Sequence, residues 1–97
     1  MRYIWDPIKD VLNRRKHRLT LADGIPVLED PARECWIDSR FDYGEERTIS
    51  LGRNRNTVLV VVSAETSPIE IDLETNRIIS VRKATQHETD WYNFGRT

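Results

Sequence analysis

The chain has 97 residues, 15 Lys+Arg against 16 Asp+Glu, and a formal net charge of −1. That length holds one domain, residues 1–97, without room for a second core. The balance of charge excludes non-specific polyelectrolyte binding as the main activity, so a polyanion must be met by a local cationic cluster. The one cysteine, Cys35, rules out an internal disulfide. Its place beside Trp36 and Ile37 predicts a buried, inert thiol. With no apolar run fit to span a membrane and no signal-peptide core at the N-terminus, the expectation is a cytoplasmic protein without a membrane partner. No Cys/His spacing suggests a zinc site and no glycine loop suits a phosphate, so no metal or cofactor is expected.

Tyr3-Ile4-Trp5 reads as a short edge strand. Asp6-Pro7 then starts a helix, Asp as the cap and Pro at the first helical position, running to Lys16 or His17. At about 100° per residue Ile8, Val11, Leu12 and Arg15 share one stripe, expected to face the core, while Lys9, Asn13 and Lys16 share a polar flank. Thr20, with Asp23 three residues on, caps a second short helix that Gly24 and Pro26 weaken and Asp30-Pro31 stops. Cys35-Trp36-Ile37 reads as a strand. Residues 39–45 read as a loop carrying Phe41 and Tyr43, and 46–51 as an alternating strand with Arg47, Ile49 and Leu51 on one side. Residues 52–56 form a basic hairpin turn, and 58–62, apolar on both sides, a covered central strand. Ile69 and Ile71 alternate with acids, and Glu74-Thr75-Asn76 reads as a turn.

The most telling segment is Arg77-Ile78-Ile79-Ser80-Val81-Arg82-Lys83-Ala84. It is a β-branched strand with cations at both ends, followed at once by Thr85-Gln86-His87-Glu88, a helix-start box. A strand that ends in cations beside a helix start is a place to hold phosphate. The order of elements predicts an α+β domain: a small antiparallel sheet (a meander), two N-terminal helices covering one face, and one C-terminal helix.

Several of these residues together resemble the BrnT family: Trp5-Asp6-Pro7-x-Lys9, Asn13, Lys16-His17, Asp30-Pro31, Glu45-x-Arg47, Leu51-Gly52, the run from Arg77 to Thr85, and Glu88. The resemblance covers nearly the whole chain. It departs at Arg18, where the family usually has Gly, at the Gly24/Pro26 interruption, and at Val81, where Ala is common. The resemblance implies a RelE-like fold and a type II toxin, a ribonuclease that halts translation. Its partners would be a BrnA-like antitoxin and an RNA substrate, with operator DNA reached only through the antitoxin.

Metal-independent RNA cleavage needs a base for the 2′-hydroxyl, cations for the phosphorane and an acid for the leaving 5′-oxygen. Arg47, Arg77 and Arg82 are the candidate cations, and His17 or Lys16 the candidate proton-transfer groups. Lys83, Lys9, Asn13 and Tyr43 are candidate RNA contacts, Tyr43 by stacking. Each has a plainer alternative. Arg47 and Arg77 also fit as edge charges, and His17 as a cation at a helix C-terminus. Lys83 alternates away from Arg82 in a straight strand, and Glu88 completes a capping box with Thr85. The second functional reading is a non-catalytic module of the same fold that binds the antitoxin and acts in transcriptional autoregulation.

Overall fold

The computed structural model describes residues 1–66 and 75–96. Asp6 begins the first helix as its sequence requires: its carboxylate accepts the Ile8 amide at 2.9 Å, and Pro7 fills the first position of α1 (Pro7–His17). The helix closes on Arg18, whose amide donates to the Arg14 carbonyl at 2.9 Å while its backbone turns left-handed at φ 60°. A side chain with a Cβ pays strain there, and glycine does not.

Among the described residues five strands follow the order β1-β5-β4-β3-β2: β1 (Arg2–Ile4), β2 (Glu34–Ile37), β3 (Thr48–Asn54), β4 (Thr57–Thr66) and β5 (Thr75–Lys83). The strands from β2 to β5 form the expected antiparallel meander. β1, however, pairs parallel with β5, so the sheet is mixed rather than antiparallel throughout. Short turns dictate antiparallel pairing only between consecutive strands, and no turn joins β1 to β5. Ile69, Ile71 and Glu74 lie outside the described residues. Thr75 and Asn76, expected in a turn, belong to β5. The basic hairpin narrows to Arg55 and Asn56, because Asn54 already pairs with Thr57.

The second helix is split, as Gly24 and Pro26 imply. A 3₁₀ turn (Leu21–Gly24), with a full Thr20/Asp23 capping box, runs into the single turn α2 (Ile25–Leu28). Gly24 is required by close approach: a Cβ there would lie 2.9 Å from a Val81 methyl. One face of the sheet buries Leu59, Val61, Ile78 and Val81 against Leu21 and Val27 of this segment. The other face buries Ile49, Leu51, Val58 and Val60 under Trp36, Trp91 and Tyr92, the last two on α3 (Gln86–Phe94). Each fully buried aliphatic side chain contributes roughly 1.5–3 kcal/mol.

Two sequence expectations are reversed by packing. Cys35 is exposed, because the edge strand β2 turns Trp36 inward and its neighbours outward. The apolar stripe of α1 also faces away from the core: Ile8 is 70% exposed and Leu12 55%, whereas Asn13 is 6% exposed. The cause is the length of β1. Its three residues pair with Thr75–Arg77, and among the described residues no strand pairs with the far half of that edge of β5. Asn13 supplies the missing partner. Its amide donates to the Val81 carbonyl at 2.9 Å and to the Leu19 carbonyl at 2.8 Å, and its oxygen accepts the Val81 amide at 3.1 Å. A buried strand edge needs these bonds more than it needs apolar contact.

Candidate active site

β5 carries an irregularity that decides which cations meet. Val62 pairs with Ser80 and Ser63 with Ile78, so Ile79 is an extra residue on β5. Arg77 and Arg82 are five positions apart and would point to opposite faces of a regular strand. The bulge absorbs one residue and puts both on the face covered by α3. Arg47 joins them there, in alternation with Ile49. Lys83, opposite Leu59, lies on the other face and lines a separate depression with Leu19, Pro26 and Arg55.

A hollow of about 340 Å³ opens on the α3 face. Ile49, Val60, Val62 and Ser80 line it from the sheet, and Lys16 and His17 from the end of α1. Trp36, Arg40, Arg82 and Glu88 complete it. A shallower groove continues past Lys16, His17 and Ser80 to Ile79, Leu12 and Lys9. Lys16, His17 and Arg82, all expected from the sequence, therefore share one cavity, and Lys9 stands on its extension. The Asn13 amide lines that groove but is committed to Val81 and Leu19.

Arg82 is held by a two-bonded fork to Glu88, 2.8 and 2.9 Å. The guanidinium holds the Glu88 carboxyl down to about 2, against the opposing effect of burial, and the Glu88 carboxylate raises Arg82. Glu88 also accepts the Thr85 amide in the capping box, so the box and the ion pair coincide. His17 is pushed below the ordinary imidazole range, first by burial and then by the charges of Lys16 and Arg82.

Arg47 and Arg77 stand one row further along the same face, about 7 Å from the lining row by strand geometry. Both bind Glu45, Arg47 at 3.4 Å. The Arg47 guanidinium lies 3.9 Å over the Tyr43 ring, which takes up one face of the residue expected to stack a base.

Arg40 and Asp38 escaped the sequence reading. Asp38 is buried at the end of β2; it accepts two bonds from the Arg40 guanidinium, each 2.8 Å, and one from the Tyr43 hydroxyl at 3.1 Å. These bonds, the Arg40 fork foremost, hold the Asp38 carboxyl far below its usual range. The only local signal was Asp followed two residues later by Arg, a common turn pattern. Trp36 stands edge-on to Trp91 at 6.1 Å and also walls the hollow.

A mixed sheet with a hollow lined by Lys16, His17, Arg40, Arg82 and Glu88 defines the class: a small α+β domain with a charged pocket on one sheet face. The family model described as ribonuclease toxin, BrnT, of type II toxin-antitoxin system matches residues 5–88, and the chain belongs to that family. Among curated proteins none matches it. The family is one of ribonuclease toxins, which implies an antitoxin partner and an RNA substrate.

Proposed function

We propose that this chain is the toxin of a type II pair: an endoribonuclease that cleaves RNA without a metal, thereby inhibiting translation in the cytoplasm, and is neutralised by a BrnA-like antitoxin. Operator DNA is reached only through that antitoxin. The observation that carries the reading is the convergence of His17, Lys16, Arg82 and Arg40 on one hollow. In this scheme the imidazole of His17 takes the proton of the 2′-hydroxyl as that oxygen bonds to phosphorus. The bond from phosphorus to the 5′-oxygen breaks, and the Lys16 ammonium protonates the departing oxygen. Arg82 and Arg40 stabilise the extra charge on the phosphorane. Arg47 and Arg77 hold the adjoining stretch of backbone, since the rows of Arg82 and Arg77 are about 13 Å apart along the sheet. Lys9 extends the track, Tyr43 backs Arg47, and Asn13 positions α1. Lys83, on the opposite face, serves only RNA that wraps the sheet end.

A second reading, the non-catalytic antitoxin-binding module, is favoured by a different fact. Arg40, Arg47, Arg77 and Arg82 are each already paired with a carboxylate. RNA must displace those carboxylates or share their partners. The two readings separate in a cleavage assay on purified single-stranded RNA with EDTA present. The enzyme reading expects cleavage leaving a cyclic phosphate, reduced by about 10²–10⁴ in His17→Ala and by about 10²–10³ in Arg82→Ala. Intact RNA with folded native protein leaves the binding module standing.

A further inference from the structure

α1 presents an unpartnered apolar stripe with charge on its borders. Successive side chains turn by about 100° around a helix axis, which groups Asn13, His17 and Asp10 on one side. That side is bound to the domain: Asn13 clamps β5, and Asp10 accepts the Leu21 amide at 2.8 Å. The same turn groups Ile8, Val11, Leu12 and Arg15 on the opposite side. Ile8, Val11 and Leu12 are all exposed there. Lys9 and Lys16 border this stripe on one flank and Arg14 on the other, whereas the helix's one acid, Asp10, is turned inward and pairs with Arg14 at 3.6 Å. Neither Lys9 nor Lys16 has an ion pair among the described residues. Leu12, Lys9 and Lys16 also line the groove that runs into the hollow.

A helix that clamps the domain through a polar residue and turns its aliphatic side chains to water has a surface suited to a second apolar face. Cationic borders without an outward acid select a partner segment whose own borders are acidic. We propose that the Ile8/Val11/Leu12 stripe of α1 is the seat of an acidic, amphipathic segment of the antitoxin. Its apolar side chains cover the stripe and its carboxylates meet Lys9 and Lys16. Because those lysines border the groove, the seated segment also closes the approach to the hollow, so binding and neutralisation occur at one place. The inference rests on the toxin–antitoxin reading above and deepens it.

The test co-expresses this chain with the antitoxin of its own operon and measures the complex by gel filtration and by titration of the separated partners. The native pair is expected to co-elute. Ile8→Glu/Leu12→Glu, with native circular dichroism because both sites are exposed, is expected to bind at least 100-fold more weakly. Lys9→Glu is expected to lose about 10-fold, an effect that shrinks in high salt. A native complex that the double variant leaves undiminished overturns the α1 assignment and spares the toxin–antitoxin reading. No complex with native protein overturns that reading and this inference together. A dimer of the chain alone that the double variant dissociates, or anionic vesicles bound by native protein and released by the variant, assigns the stripe to another occupant and overturns the proposal.

Discussion

α1 grips the edge of β5 with the uncharged amide of Asn13, whereas α3 holds Arg82 of the same strand through the charged fork of Glu88. The amide clamp is buried and touches only backbone. It replaces a missing strand and fixes the backbone from which Arg82 projects. The fork is half-exposed, ties a helix cap to a cation of the hollow, and titrates. The first kind of bond sets where the cations stand. The second sets how much of their charge is available to a ligand.

Breaking the amide clamp has the largest expected effect. Asn13→Ala leaves the Val81 amide and carbonyl without partners in a dry place, at a cost of about 2–4 kcal/mol. Thermal unfolding should show a fall in Tm on the order of 10–20 °C for a domain this size. A loss below about 1 kcal/mol would mean that water replaces the amide, and that the clamp is not what holds α1.

The charged contact is sharpened by acid. The Glu88 carboxyl is held near 2 in the folded chain, against 4.5 as its ordinary value. A depressed folded value stabilises the fold above pH 4.5, and that contribution is lost as pH falls from about 4.5 to about 2. Denaturant titrations across this range should therefore show a shallower acid loss for Glu88→Gln than for native protein, while Asn13→Ala keeps the native slope. Equal slopes for all three proteins would dissolve the distinction between the two contacts. At neutral pH Glu88→Gln also weakens the cap, by about 1 kcal/mol.

The smallest expected effect lies at the end of α1. Arg18 holds a left-handed backbone at φ 60°, and its side chain is exposed. Arg18→Gly removes the Cβ strain and should stabilise by about 0.5–1 kcal/mol, read as a rise in Tm of a few degrees. A fall would assign Arg18 an interaction that outweighs its strain.

Much of this molecule follows from local chemistry. Asp6-Pro7, the boxes Thr20/Asp23 and Thr85/Glu88, and the run of valines in β4 each act over a few residues, and each stands where its sequence puts it. The antiparallel pairing of β3 with β4 follows equally from the tight turn at Arg55 and Asn56, and the membership in a ribonuclease toxin family from motifs in fixed order. Three features have no local cause. The inverted face of α1 depends on an unpaired stretch of β5 that is 68 residues away from Asn13 in sequence. The shared face of Arg77 and Arg82 depends on a single bulge at Ile79, which nothing in the apolar pattern marks. The meeting of Lys16 and His17 with Arg40 and Arg82 depends on three elements arriving at one hollow. Local propensity acts through neighbours along the chain, whereas a strand edge, a register shift and a cavity exist only once distant segments have paired. The sequence determined the elements and the family, and tertiary pairing decided which way each cation faces.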